Sequence, residues 1–313
     1  MTAVITDGIR HTYPSKKEPG EALRGIDLSV NQREIFGLLG PNGSGKTTLF
    51  KILATLIIPT AGSARIFGKD IIGQVNEVRN GIGVVFQQPS LDRKLTVEEN
   101  LVHQGHLYGL TGRGLNEKIK RQLEVFGISD RKKDFVEKLS GGLMRRVELA
   151  KGMIHEPRLL ILDEPSTGLD PGARRNLRET LDNLREREGV TILMTTHLAS
   201  EAERCGRIAV MDEGRIVAEG RPDDLKKEIG GDVINVTSHS PRELMEKIRV
   251  RFGGEPTVVN GDVRVEMERG HEFIPKLVET FPGLVSAVTV GKPTLEDVFI
   301  HRTGRSIRAR EKE

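Results

Sequence analysis

Apolar residues fall into two alternating rhythms along the chain. Short runs such as Ile35-Phe36-Gly37-Leu38-Leu39, Leu159-Leu160-Ile161-Leu162 and Val190-Thr191-Ile192-Leu193-Met194 read as strands buried on both faces of a parallel sheet. Elsewhere apolar positions recur every three or four residues, as at Leu49, Ile52, Leu53 and Leu56, and in a polar amphipathic helix over about 171–188. Strands alternating with helices define an α/β fold. Residues 1–35 carry short extended patterns interrupted by a turn-rich insert, Pro14-Ser15-Lys16-Lys17-Glu18-Pro19-Gly20. Ser63-Ala64-Arg65-Ile66-Phe67 and Ile82-Gly83-Val84-Val85-Phe86 add strands, the second ending at Gln87-Gln88-Pro89.

From Thr96 to Glu156 the period turns helical, with segments at about 97–109, 115–126 and 142–155. Thr96 and Glu99 have the spacing of a capping box. The charged connector 129–134 reads as solvated surface. After the run at 190–194 come another helix and a hairpin, Ile208 to Ala218, turning at Asp212-Glu213-Gly214. Gly230-Gly231 marks a boundary. Beyond it the pattern predicts strand 232–238, helix 241–252, strands 256–260 and 263–267, helix 271–281 and strand 284–290. That βαββαβ order is the split βαβ, ferredoxin-like pattern. A helix beginning near Pro293 closes it. The expected domains are 1–229, with a helical subdomain at about 96–156, then 230–304, then a charged tail at 305–313 expected to fray.

The chemistry concentrates where the rhythm breaks. Gly40-Pro41-Asn42-Gly43-Ser44-Gly45-Lys46-Thr47-Thr48 follows the first apolar run and leads into a helix. Strand, glycine-rich loop and helix in that order form a Walker A phosphate loop. Its glycines let successive N–H groups turn inward on phosphate oxygens, above the positive end of the helix. Lys46 can reach the β- and γ-phosphates, and the Thr47 hydroxyl can ligate Mg²⁺.

Asp163-Glu164 ends the apolar run at 159–162, at the sheet edge where ligands of parallel sheets lie. Asp163 is placed to hold Mg²⁺ and Glu164 to polarise water. Leu139-Ser140-Gly141-Gly142-Leu143 opens a helix whose small residues leave amides free, a second anion site on the same chain.

Composition narrows the partners. With 48 basic and 45 acidic residues, the net charge of +3 is too balanced to announce a nucleic-acid binder, and none is expected. The single cysteine, Cys205, excludes an internal disulfide and fits a reducing compartment. No apolar run reaches the roughly 18 residues of a membrane span, and the N-terminus lacks signal-peptide features. The chain therefore reads as cytoplasmic, reaching a membrane only through a partner. His103 and His106 have no ligand-spaced companions and read as surface histidines.

Ser140-Gly141-Gly142 lies about twenty residues before Asp163, and with the phosphate loop this resembles the nucleotide-binding subunits of ABC transporters over nearly residues 1–225. The resemblance implies a P-loop NTPase cassette: a RecA-like core, an antiparallel β part and a helical insert. It further implies roles for single residues. Gln87 matches the Q-loop glutamine that senses Mg²⁺ and the attacking water, with Gln88 the competing register. Ser166-Thr167-Gly168-Leu169-Asp170 matches the D-loop. His197 matches the switch histidine on the γ-phosphate, and Tyr13 the aromatic that stacks on adenine. Ser140, Gly141 and Gly142 match the signature that contacts ATP. One departure is Leu143, where the family usually has glutamine.

The family pairs two cassettes head to tail around ATP, so a second cassette is implied, identical or paralogous. The ending Lys292-Pro293-Thr294-Leu295-Glu296-Asp297-Val298-Phe299-Ile300 resembles the ABC-2 exporter group of daunorubicin/doxorubicin resistance ATPases and their relatives. That implies an ATPase powering export of a drug, antibiotic, polysaccharide or lipid through a separate permease. Two other readings stay open: an importer ATPase with a ligand-binding C-terminal domain, and a soluble, non-transport cassette protein.

Overall fold

The computed structural model describes residues 1–14 and 20–307. Most of the turn-rich insert expected at 14–20, and the tail from 308, lie outside the described residues. By its contacts the chain divides into two units. The first comprises Met1–Leu38, Gly43–Thr196 and Glu213–Arg215; the second comprises Leu39–Asn42, His197–Asp212 and everything from Ile216.

In the first unit, strands β1 (Thr2–Tyr13) and β2 (Gly20–Asn31) pair antiparallel, and β3 (Ile35–Leu39) leads into helix α1 (Lys46–Leu53). Strands β4 (Ala61–Ile66) and β5 (Lys69–Asp70) extend the antiparallel sheet to the order β2-β1-β4-β5. Helix α2 (Val75–Gly81) precedes β6 (Ile82–Val85). The helical insert holds α3 (Val97–Leu107), α4 (Gly112–Val125) and α5 (Gly141–Met153). Strand β7 (Leu159–Leu162), helix α6 (Pro171–Arg187) and β8 (Thr191–Thr196) complete the unit. Four of its strands lie side by side in the order β3-β8-β7-β6, with β8, β7 and β6 parallel. Every residue of β3, β7 and β8 is buried, as two covered faces require.

Several expectations shift at element ends. The first helix stops at Leu53, before Leu56, which is 52% exposed. Thr55, in the left-handed region at φ 59°, turns the chain out of the helix. The Thr96–Glu99 capping box forms, and the amides of Val97 and Glu98 are taken up by the carbonyls of Asp134 and Lys132. The charged connector therefore caps α3 as well as facing solvent.

In the second unit, helix α7 (Ala199–Ala202) is followed by β9 (Arg207–Asp212) and β10 (Arg215–Gly220). Both turn residues between them, grouped by contacts with the first unit, have positive φ, Glu213 at 46° and Gly214 at 76°, as a tight hairpin demands. After α8 (Pro222–Lys227) come β11 (Asp232–Thr237), α9 (Pro241–Phe252), β12 (Thr257–Val259), β13 (Asp262–Met267), α10 (Gly270–Thr280), β14 (Ala287–Gly291) and α11 (Leu295–Thr303). The four strands form an antiparallel sheet ordered β12-β13-β11-β14. Ile234, Val236, Val263 and Val265 from the sheet pack on Leu244, Ile248, Phe273 and Leu277 from α9 and α10. β14 starts later than expected, because Pro282 and Gly283 (φ 80°) form a turn first.

Arg264 of β13, 2% exposed, reaches Glu266 at 2.8 Å and Asp297 of α11 at 3.4 Å. The tail expected to fray from 305 is docked as far as it is described. Arg305 pairs with Asp212 at 2.6 Å, the Ser306 hydroxyl donates to Glu296 at 2.9 Å, and Ile307 is buried.

Candidate functional site: a phosphate loop facing two carboxylates

The loop between β3 and α1 is built by backbone conformations that L side chains resist. Gly43 has φ 78° and Gly45 φ 103°. A Cβ on Gly45 would lie 2.7 Å from the Ala22 carbonyl oxygen and 2.8 Å from Leu23 Cδ2. Only glycine fits there. The Ser44 carbonyl accepts the Gly214 N–H at 3.0 Å, and the Gly214 carbonyl accepts the Arg24 N–H at 2.8 Å, so neighbouring turns brace the loop. Gly40, Pro41 and Asn42 lead into it from β3. Ser44 is 1% exposed, and its hydroxyl has no hydrogen-bond partner among the described residues. An orphaned buried hydroxyl in a glycine-rich loop at the start of a helix fits a phosphate oxygen.

Lys46 opens α1 with its ammonium 3.9 Å from Glu164 Oε1, both side chains buried. Burial pulls the Lys46 pKa down, against the opposing pull of the Glu164 and Asp163 carboxylates. Asp163 is pushed up, chiefly by burial and also by the Glu164 charge, while Thr195, Lys46 and Thr47 hold it down through hydrogen bonds and charge. Two carboxyl groups face one ammonium among buried side chains, and the oxygen donors of Thr47 and Asp163 suit a hard divalent cation such as Mg²⁺.

Glu164 has φ 43°, a left-handed conformation costing ~1–2 kcal/mol for an L residue. Its N–H donates to Thr195 Oγ1 at 2.9 Å, and Thr167 Oγ1 donates to Oε2 of its carboxylate at 3.1 Å. Gln87 Nε2 donates to the same Oε2 at 3.2 Å. This singles out Gln87, not Gln88, as the glutamine turned toward the acids.

Tyr13 ends β1 with its hydroxyl 3.3 Å from Thr48 Oγ1, either of which can donate, and its ring meets His11 edge-on at 4.6 Å. It stands beside the first turn of α1, 39% exposed. Ser140 is the N-cap of α5, its hydroxyl accepting the Leu143 N–H at 3.4 Å. Gly141 is exposed, and a Cβ on Gly142 would press on Ala173 Cβ at 3.1 Å. Asp170 caps α6, accepting the Ala173 N–H at 2.9 Å. Leu143 lines the same concavity as Ser140 and Asp170. His197 follows the last residue of β8 and begins a stretch of the second unit. His103 and His106 are exposed on α3.

The structure thus brings Lys46, Thr47, Gln87, Asp163 and Glu164 together. It adds Thr195, which the sequence reading leaves without a role, while Ser44 stands within the expected phosphate loop. Thr195 lies just past the apolar run at 190–194, where strand periodicity alone gives no reason to single it out. Among the described residues no helix is long and apolar enough to cross a membrane.

Comparison with known proteins agrees with this geometry. The family described as ABC transporter matches residues 23–167, and a family described as AAA domain, putative AbiEii toxin, Type IV TA system, matches residues 147–201. The daunorubicin resistance ATP-binding protein DrrA3 of Streptomyces coeruleorubidus is 37% identical over 99% of this chain and 98% of its own. The Nod factor export ATP-binding protein I of Rhizobium sp. (strain N33) is 39% identical over 93% of this chain and 96% of its own. Among solved structures, the dimeric post-hydrolysis state of the ATP-binding cassette MJ0796, bound to ADP and Pi, superposes with a TM-score of 0.64. It is 26% identical and covers 70% of this chain and 98% of that one. A phosphate loop facing paired acids, within a chain matched almost end to end by such relatives, has one reading: this protein belongs to the ATP-binding subunits of ABC transporters and is an ATPase.

Proposed function

We propose that the chain is the motor of an ABC-2 type exporter, hydrolysing Mg-ATP to drive cargo through a separate permease. The observation that carries this is the convergence of Lys46, Asp163, Gln87 and Glu164, in a chain whose full-length relatives include drug-resistance and Nod factor export proteins. Lys46 and the amides from Gly40 to Thr48 bind the phosphates, and Tyr13 stacks on the adenine. Thr47 and Asp163, with Gln87, would hold Mg²⁺, which supplies charge neutralisation to the transferring phosphoryl group. Glu164 polarises the attacking water and Gln87 orients it. His197 contacts the γ-phosphate.

Ser140, Gly141, Gly142 and Asp170 act on the nucleotide of a second cassette, most simply another copy of this chain. The MJ0796 cassette bound to ADP and Pi is dimeric. The groove between β6 and α3, about 720 Å³ and lined by Arg79, Gln104, Leu107 and Tyr108, is where we place the permease. Leu107, 81% exposed, supplies its apolar anchor. The protein then works at the cytoplasmic face of the membrane.

We assign residues 1–229 to the cassette and 230–304 to a ferredoxin-like domain with an assembly or regulatory role. The sheet order β12-β13-β11-β14 in a βαββαβ chain supports that fold. The test is reconstitution with the co-encoded permease in vesicles. ATP-dependent cargo movement that Glu164→Gln abolishes is expected; movement in the import direction would favour the importer reading.

A further inference from the structure

Helix α5 carries two charged residues on its buried face. The side chains of Arg145 and Glu148 are 6% and 2% exposed and pair at 3.0 Å. An apolar pair would fill this space without desolvating two charges, so the ion pair is not explained by stability. Its hydrogen bonds show what it holds. Arg145 Nη1 donates to the Phe86 carbonyl at 2.8 Å and Nη2 to the Gln87 carbonyl at 3.1 Å. Glu148 Oε1 accepts the Ser90 N–H at 2.5 Å and its hydroxyl at 3.2 Å. One turn on, Lys151 Nζ donates to the Ser90 carbonyl at 2.7 Å.

The segment held this way, Phe86 to Ser90, belongs to no helix or strand, so its backbone groups have no ladder to satisfy them. Side chains from one helix take that place. The guanidinium fork is suited to it, presenting several donors in one fixed plane, which an ammonium cannot do. The segment also bears the Gln87 side chain, 3.2 Å from Glu164. The same helix begins at Ser140, five residues before Arg145.

We infer that Arg145, braced by Glu148, is a positioning residue for hydrolysis. It clamps the backbone of Gln87, so that the approach of Gln87 to Glu164 depends on the orientation of the helix that starts at Ser140. This rests on the roles given above to Gln87 and Glu164.

The test is steady-state ATPase kinetics and thermal melting on five variants of the full chain. Arg145→Met should lower kcat about tenfold or more while KM for ATP stays within about twofold, the pattern of a group acting on the reaction step. Arg145→Lys should not rescue it. Arg145→Met/Glu148→Met removes both charges and should recover the melting temperature but not kcat, because the Phe86 and Gln87 carbonyls still lack their donor. In a Gln87→Ala background, Arg145→Met should change kcat less than about twofold, since both act through one group.

Wild-type kcat in the Arg145→Met/Glu148→Met variant would overturn the clamp and leave the Gln87 assignment standing. So would effects of Gln87→Ala and Arg145→Met that multiply. Wild-type kcat in Gln87→Ala alone would instead overturn the Gln87 assignment, and the clamp with it.

Discussion

Thr195 Oγ1 donates to Asp163 Oδ1 at 2.6 Å and accepts the Glu164 N–H at 2.9 Å, so one hydroxyl on β8 holds both acids at the end of β7. The register of two parallel strands creates this relationship, with Leu162 opposite Met194. Thr195→Val keeps shape and removes the hydroxyl. It leaves a buried amide and a buried carboxylate short of a partner, at about 1–3 kcal/mol. Chemical denaturation should show that loss, and ATPase assays should show weakened Mg²⁺ dependence together with lower kcat. Unchanged stability and turnover would remove Thr195 from the site.

The phosphate loop depends on a residue with no side chain. Gly45→Ala would force a Cβ against the Ala22 carbonyl at 2.7 Å and hold alanine at φ 103°. The loop must deform, and nucleotide binding should fall by more than about tenfold, as a misaligned amide nest predicts. Titration with a fluorescent ATP analogue measures it.

A pH effect should come from His155, half-buried on the helical insert and stacked on Tyr108 at 3.7 Å. Its Nε2–H donates to the Ile82 carbonyl, which leaves Nδ1 buried without a partner among the described residues. Burial therefore lowers its pKa from the ordinary 6.5. The unfolded chain takes up this proton at higher pH than the folded one, so His155 adds stability above about pH 6.5. That contribution is lost as pH falls through the depressed folded value. Denaturant melts at about pH 7 and about pH 5 should show a smaller loss for His155→Phe than for the wild type, because phenylalanine keeps the stack and cannot titrate.

In the second unit, Arg264→Met should cost about 1–3 kcal/mol, since Asp297 and Glu266 lose a buried charge partner. Asp297 also closes the capping box of α11, so the loss should loosen that helix. Hydrogen exchange across Leu295–Thr303 would rise. Unaltered protection there would show that α11 holds without Arg264.

The parallel strands, the phosphate loop and the paired acids were legible because each is a contiguous pattern with a local cause. Ile161 sits in an unbroken apolar run, and Gly45 before Lys46 needs no tertiary information. What escaped was made by distance. Thr195 meets Asp163 only through strand register, and the clamp at Arg145 only by contact with a segment 58 residues earlier. On an amphipathic helix, a charged residue at a buried position looks like surface until the structure shows what it touches. Helices α2 and α8 are short and polar, with Val78 as the one buried side chain of α2, so no period announces them. Arg305 looked like part of a charged tail, yet it ends on Asp212.

If two chains complete each proposed nucleotide site, trapping that state reveals it most directly. Glu164→Gln keeps size and hydrogen bonding but removes the carboxylate proposed to polarise water, while Lys46 and Asp163 should still bind Mg-ATP. Bound ATP should then bridge two copies without being consumed. Size-exclusion chromatography with light scattering, run with Mg-ATP, should show a dimer for Glu164→Gln and a monomer once Ser140→Arg is added. A Glu164→Gln chain that binds ATP firmly yet stays monomeric, alone and with any co-encoded cassette, would contradict it.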